Sequence, residues 1–204
     1  MGINLDIVVA SGNPGKRQEF QQIIASYGVM GAGVRLRTPD GPPLEIDETG
    51  RTYLANARLK ACRYSLQYNS PALGDDSGLA VDALGGQPGL RTARFGGPGL
   101  TAAQRVDLLL ERLEGVPAEQ RGAHFECALC LAYPDGGVVT ARGRVFGRIA
   151  DAPRGTQGFG YDPIFLLPSL GRTMAELAPA EKHRLSHRGH AVANLLRKLA
   201  TGTE

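Results

Sequence analysis

Two runs, "AHFECALCLAY" (123–133) and "VVTARGRVFGRIA" (138–150), are joined by "PDGG", and this pairing constrains the fold more than any other stretch. Asp-Gly between β-like segments is a strong short-range hairpin signal, so two long strands lying side by side are predicted. Upstream the pattern changes. "NLDIVVA" reads as a strand and "KRQEFQQIIASYG" as an amphipathic helix ended by Gly28, while "TYLANARLKACRYSLQY" reads as a second helix stopped near Pro71. Short strands at "PAL" and "GLAVDAL" are predicted on either side of Asp75 and Asp76. "LTAAQRVDLLLERL" forms a third helix with Thr101 and Gln104 as a capping box. Val192, Leu195, Leu196 and Leu199 mark a last one by their spacing. Helices alternating with strands ahead of a late hairpin predict an α/β fold with a mixed sheet.

Length and composition fit one domain spanning residues 1–204. No apolar run approaches the roughly 18 residues of a membrane helix. The start lacks the basic region of a signal peptide, so a cytoplasmic protein without a membrane partner is expected. The net charge of +3 is spread evenly: 10 Lys/Arg face 9 Asp/Glu through residue 100, and 13 face 11 after it. That argues against a nucleic-acid partner. Cys62, Cys127 and Cys130 suit a reducing compartment. The last two have CxxC spacing, but on a strand they face opposite sides, which is a poor metal pair. Only four of the 23 basic residues are lysine: Lys16, Lys60, Lys182 and Lys198.

Five stretches carry chemistry. In "VVASGNPGKRQEF" a strand ends, Ser11, Gly12 and Asn13 turn the chain, and a helix begins with Asn13 as N-cap and Pro14 in its first position. Unpaired N–H groups and the dipole suit an anion there, and Lys16 adds charge one turn in. In "EIDETGRTYLANARLKA", Glu45, Asp47 and Glu48 are placed at a helix start, where the dipole favours acids. Asn56 and Lys60 share one helical face. In "GDDSG" two adjacent carboxylates are costly to bury, and Mg²⁺ with substrate phosphates would answer that cost: Asp76 and Glu48 are its candidate ligands. Asp75 and Asp76 need not share a role, since successive strand residues point oppositely. An Asx turn is the plain alternative. "GTQGFGYDPIF" presents Phe159 among glycines, with Gly160, Tyr161 and Asp162 following, as a base-stacking loop would. In "EKHRLSHRGHAV", Ser186 caps a helix with His187 and Arg188 in its first turn. An arginine there opposes the dipole, which a ligand would explain. Zinc on His183 and His187 lacks both the HExxH pattern and a third ligand.

"SGNPGK", "ETGRTYLANARLKA", "GDDSGLAVDALGGQPGLRTARF", "GFGYDPIF" and "EKHRLSHRG" together resemble, in order, the motifs of the inosine/xanthosine triphosphate pyrophosphatase family. The resemblance covers about residues 7 to 190. It implies an elongated mixed sheet flanked by helices, with two lobes around a central substrate cleft, commonly in a homodimer. It implies Mg²⁺-assisted attack of water on the α-phosphate of ITP, dITP or XTP, giving the monophosphate and pyrophosphate. By position, Ser11, Gly12, Asn13 and Lys16 match the triphosphate turn; Asn56, Lys60, Asp75 and Ser77 match the phosphate surroundings. Glu48 and Asp76 match the metal ligands, and Asp76 also the proton acceptor. Phe159, Gly160, Tyr161 and Asp162 match the base loop; Lys182, His187 and Arg188 match substrate contacts, the last two near the 6-oxo group. Tyr53 and Arg91 depart from the family pattern outside this set. Two alternatives share the phosphate features: a pyrophosphatase of pyrimidine or ordinary triphosphates, and a nucleotide sensor without catalysis.

Overall fold

β1 (Leu5–Val9), α1 (Pro14–Ser26), β2 (Val34–Arg37), α2 (Tyr53–Tyr68), β3 (Ala72–Val81), α3 (Ala102–Arg112), β4 (Gly122–Ala132), β5 (Val138–Ile149), β6 (Phe165–Leu167), β7 (Arg172–Thr173), α4 (Pro179–Leu185) and α5 (His187–Thr201) follow one another along the chain. The computed structural model describes residues 5–28, 31, 33–39 and 41–202. The strands form one sheet in the order β2-β1-β3-β4-β5-β6-β7. β1 runs parallel to β2 and β3, whereas β6 is antiparallel to β5 and β7, so the predicted mixed sheet is borne out. The turn between β4 and β5 closes with the Tyr133 N–H donating to the Gly137 carbonyl, as "PDGG" predicts. Among the described residues no helix is long and apolar enough to cross a membrane.

The chain divides into two compact units: Met1–Asp76 with Cys127–Gly143 and Ser186–Glu204, and Ser77–Glu126 with Arg144–Leu185. In the first unit the strand residues alternate between two cores. Ile7, Leu73, Leu129 and Leu131 pack with Phe20 and Ile23 of α1 and Val192 and Leu195 of α5. Val8 and Ala72 pack instead with Tyr64 of α2, and Cys130 and Ala132 with Ala57 and Ala61 of the same helix. The period of two thus sends α1 and α5 to one face of the strands and α2 to the other. Gly74 lies on the α2 side, where a Cβ would collide with the Ala57 carbonyl and the Ala61 N–H, so glycine lets the helix sit directly on β3.

The second unit is built around Leu79, Val81, Phe125, Phe165 and Ile164 with Val106 and Leu109 of α3 and its C-cap Leu113. α3 starts with the predicted capping box of Thr101 and Gln104.

Two sequence expectations are corrected. Asp75 and Asp76 do not separate two short strands or form an Asx turn; they lie inside the continuous ten-residue β3, which ends at Val81 and gives way to a 3-10 turn at Asp82–Leu84. Buried neighbours on both faces outweigh the poor strand propensity of Asp and Gly. Glu45, Asp47 and Glu48 precede the helix rather than begin it: α2 opens at Tyr53 with Thr52 as cap and no acid in its first turn. Their charge therefore has no helix dipole to answer it.

Candidate active site

Strand alternation decides where each carboxylate goes. Asp75, in phase with Leu73, turns to the α1 side and meets Lys16 Nζ at 2.7 Å. Asp76, in phase with Ala72 and Gly74, turns to α2, where Asn56 Nδ2 donates to its Oδ2 at 2.9 Å. Both are buried, at 2% and 8% exposure. The two shift in opposite directions. Burial pushes the Asp75 carboxyl up, but Lys16, Lys60 and Arg188 outweigh it and hold it below the usual carboxylate range. For Asp76 burial is the largest influence and Glu48 adds to it; the Asn56 hydrogen bond and the charges of Lys60 and Lys16 do not offset them, so this carboxyl is raised. The two adjacent carboxylates thus sit in different electrostatic surroundings.

The turn ahead of α1 forms as its sequence predicts. Asn13 caps the helix by accepting from the Lys16 N–H at 3.2 Å, Ser11 Oγ accepts from the Asn13 N–H, and Arg17 donates to the Ser11 carbonyl at 2.7 Å. Gly12 and Asn13 are exposed. On α2, Lys60 Nζ donates to Glu48 Oε1 at 2.8 Å. Burial pulls the Lys60 ammonium down, yet Asp75, Glu48 and Asp76 more than compensate, so it holds its proton more firmly than usual. Glu48 and Asp76 offer two hard oxygen donors close enough for one charge to raise the other. Among the described residues no group of three or more His, Cys, Asp or Glu gathers. Two carboxylates, with phosphates and water for the rest, suit Mg²⁺; they do not suit a tetrahedral zinc or an all-protein calcium cage.

At the start of α5, Ser186 caps the helix by accepting from the Gly189 N–H, as predicted, and His187 and Arg188 are buried in its first turn. The arginine also has a partner within the protein. Arg188 donates to Glu19 Oε2 at 3.0 Å, and both side chains are buried. Glu19 is the residue that the motifs do not reveal. Its signal is present in the chain: it lies four residues before Ile23, on the face of α1 that also buries Phe20 and Ile24. An acid on an apolar stripe requires a cation. His183 is buried on α4, one residue after Lys182, and serves no zinc cluster among the described residues.

The second unit holds its own polar cluster. Asp162 Oδ2 accepts from the Phe159 N–H at 2.8 Å and from Lys182 Nζ at 2.7 Å, and the ammonium lies 5.4 Å from the centre of the Phe159 ring. Gly158 is compelled: it has φ +81°, and a Cβ would strike Asp162 and Lys182. The result is a ring 40% exposed on a loop that is fixed from below. Gly160 is half-buried with φ +63°, and Tyr161 is buried with its hydroxyl donating to the Thr92 carbonyl. Burial pushes the Tyr161 phenol up to about 12. Ser77 is half-buried in β3. The three cysteines are free thiols; Cys127 and Cys130 belong to different cores, as their spacing predicts.

The Ham1 family model matches residues 7–198. A dITP/XTP pyrophosphatase of Geobacillus kaustophilus is 47% identical over 190 residues, covering 93% of this chain and 92% of that protein. One of Thermus thermophilus is 45% identical over 201 residues, covering 97% and 93%. The structure of a HAM1 protein from Coxiella burnetii superposes with a TM-score of 0.82 at 38% identity, covering 97% of this chain and 99% of that one.

Proposed function

This chain belongs to the Ham1 family, and we propose that it hydrolyses noncanonical purine nucleoside triphosphates (ITP, dITP and XTP) to the monophosphate and pyrophosphate. The observation that carries the chemistry is the division of labour at Asp75 and Asp76. Asp75 is tied to Lys16 and stays ionised; Asp76 is raised and faces the other side. Asp76 is turned away from the Lys16 pairing and held by a neutral amide, so it is the carboxylate that takes the proton from the attacking water. Lys16, Lys60 and the capped turn at Ser11, Gly12 and Asn13 receive phosphate oxygens, with their carboxylate partners exchanged for phosphate as substrate arrives. Asp75 and Ser77 stay beside that path as supports.

Glu48 and Asp76 would hold Mg²⁺, whose chemistry there is to polarise the phosphate oxygens and draw charge off the leaving pyrophosphate. The base is stacked by Phe159, with Gly160 and Tyr161 shaping the loop and Asp162 and Lys182 bracing it. His187 and Arg188 read the 6-oxo group. A 6-amino group offers no acceptor to such donors, and sites built to hydrogen-bond one group reject near-isosteres strongly. Three free thiols support a reducing, cytoplasmic setting, and a homodimer is the form we infer from the family likeness.

Incubation with ITP, dITP, XTP, GTP and ATP, with and without Mg²⁺, tests the reading. Pyrophosphate with monophosphate, from the first three far faster than from GTP or ATP and only with Mg²⁺, is the expected result. Orthophosphate with diphosphate, or equal rates on all five, would contradict it.

A further inference from the structure

Asn56 carries a motif position that points to phosphate, yet both ends of its amide are engaged inside the protein. Oδ1 accepts from the Gly50 N–H at 2.8 Å, and Nδ2 donates to Asp76 Oδ2 at 2.9 Å. The side chain is 3% exposed. Gly50 is two residues beyond Glu48, so one amide joins the loop that presents Glu48 to the strand that presents Asp76. The approach is tight: a Cβ at Gly50 would lie 2.5 Å from Asn56 Oδ1 and 2.9 Å from its backbone nitrogen. One turn along α2, Lys60 holds Glu48 itself at 2.8 Å. The helix carrying both is fixed at its start by Thr52, which accepts from the Ala55 N–H, and at its middle by Gly74 beneath it.

We propose that Asn56 is a positioning residue: it sets the separation of Glu48 and Asp76 and so builds the divalent-cation site before any cation or nucleotide arrives. This rests on the reading that Glu48 and Asp76 are the metal ligands. Asn56 suits the task because an amide offers a donor and an acceptor on one rigid plane. Lysine, a donor only, or ionised aspartate, an acceptor only, would lose one of the two bonds. A hydrogen-bonded partner behind a metal ligand orients it, and losing such a partner commonly weakens metal affinity or activity about 10–100-fold. The positioning role differs from substrate contact in what it moves. A group that touches phosphate changes KM; a group that holds the ligands changes the metal and kcat.

The experiment compares Asn56→Ala and Gly50→Ala with the wild-type protein. Circular dichroism checks the fold, Mn²⁺ titration followed by electron paramagnetic resonance without nucleotide reads the site, and steady-state kinetics on ITP read KM and kcat. Gly50→Ala keeps the amide but pushes it off its partners, so it decides the matter if Asn56→Ala does not fold. The expected result is Mn²⁺ affinity and kcat each lowered about 10–100-fold in the folded variants, with KM for ITP within about threefold of wild type. Raised KM with unchanged Mn²⁺ affinity would make Asn56 a substrate contact and overturn the proposal. Unchanged Mn²⁺ affinity and kcat would overturn it as well, while leaving the metal reading intact. Wild-type protein that binds no Mn²⁺ and turns over ITP without Mg²⁺ would overturn the metal reading itself, and the proposal with it.

Discussion

Asp75 and Asp76 share a peptide bond, yet they belong to opposite faces of β3: one meets the ammonium of Lys16 at 2.7 Å, the other the amide of Asn56 at 2.9 Å. A pair of carboxylates that would repel in a turn is separated by the strand's own pleat and given separate partners. The rest of the chemistry in the first unit follows from that separation.

Replacing Asp76 by Asn keeps the shape and removes both the base and one anionic ligand for Mg²⁺, so the variant is read at saturating Mg²⁺. Turnover of ITP is expected to fall about 10²–10⁴-fold with KM little changed, as loss of general base catalysis gives. Steady-state kinetics with the folded variant check it, and near-normal kcat would remove Asp76 from the mechanism.

Asp75 gives a pH signature. Burial raises its native carboxyl, but Lys16, Lys60 and Arg188 outweigh burial and hold it below the unfolded value of about 3.9. A depressed native value means that the ionised form stabilises the fold above the unfolded value, and that this contribution is lost as pH falls through the native one. Urea unfolding of wild type and Asp75→Asn is expected to show a gap at pH 7. The gap narrows once pH drops below about 3.9. A gap that widens toward acid would contradict the sign.

Glu19 and Arg188 are both buried, so removing Glu19 leaves a buried guanidinium without the carboxylate it donates to. Glu19→Ala is expected to cost about 3–5 kcal/mol by chemical denaturation. The double variant Glu19→Ala with Arg188→Met is expected to recover part of that loss, because the under-compensated guanidinium is gone. A single variant as stable as wild type would contradict a stabilising role for the pair.

Phe159 presents a half-exposed ring above the ion pair of Asp162 and Lys182. Phe159→Ala is expected to cost about 1–3 kcal/mol of nucleotide binding, read as a KM for ITP raised several-fold to about a hundredfold. The Mg²⁺ concentration for half-maximal rate stays the same. A change in metal requirement alone would contradict the base-stacking role.

Much of this is legible in the chain, and what is not legible has physical causes. Asn13, Thr101 and Ser186 announce their helices because a cap is a local interaction between residues three apart. The mixed sheet is legible from "PDGG" following alternating helices and strands. β3 reads as two pieces because its polar centre looks like a turn, and only the helices on either face make it a strand. Glu45, Asp47 and Glu48 read as a helix start because acids favour one, whereas the cap at Thr52 decides where α2 begins. The partners are the least legible part. Nothing local ties Glu19 to Arg188 or Asn56 to Asp76, since each pair is made by packing between distant segments.

The most direct test of the account is turnover of ITP with Mg²⁺ in H₂¹⁸O, with both products analysed by mass spectrometry. Attack of water at the α-phosphorus puts ¹⁸O in the monophosphate and leaves the pyrophosphate unlabelled, which is the result expected here. Label in the pyrophosphate would place the attack at the β-phosphorus and contradict the role given to Asp76.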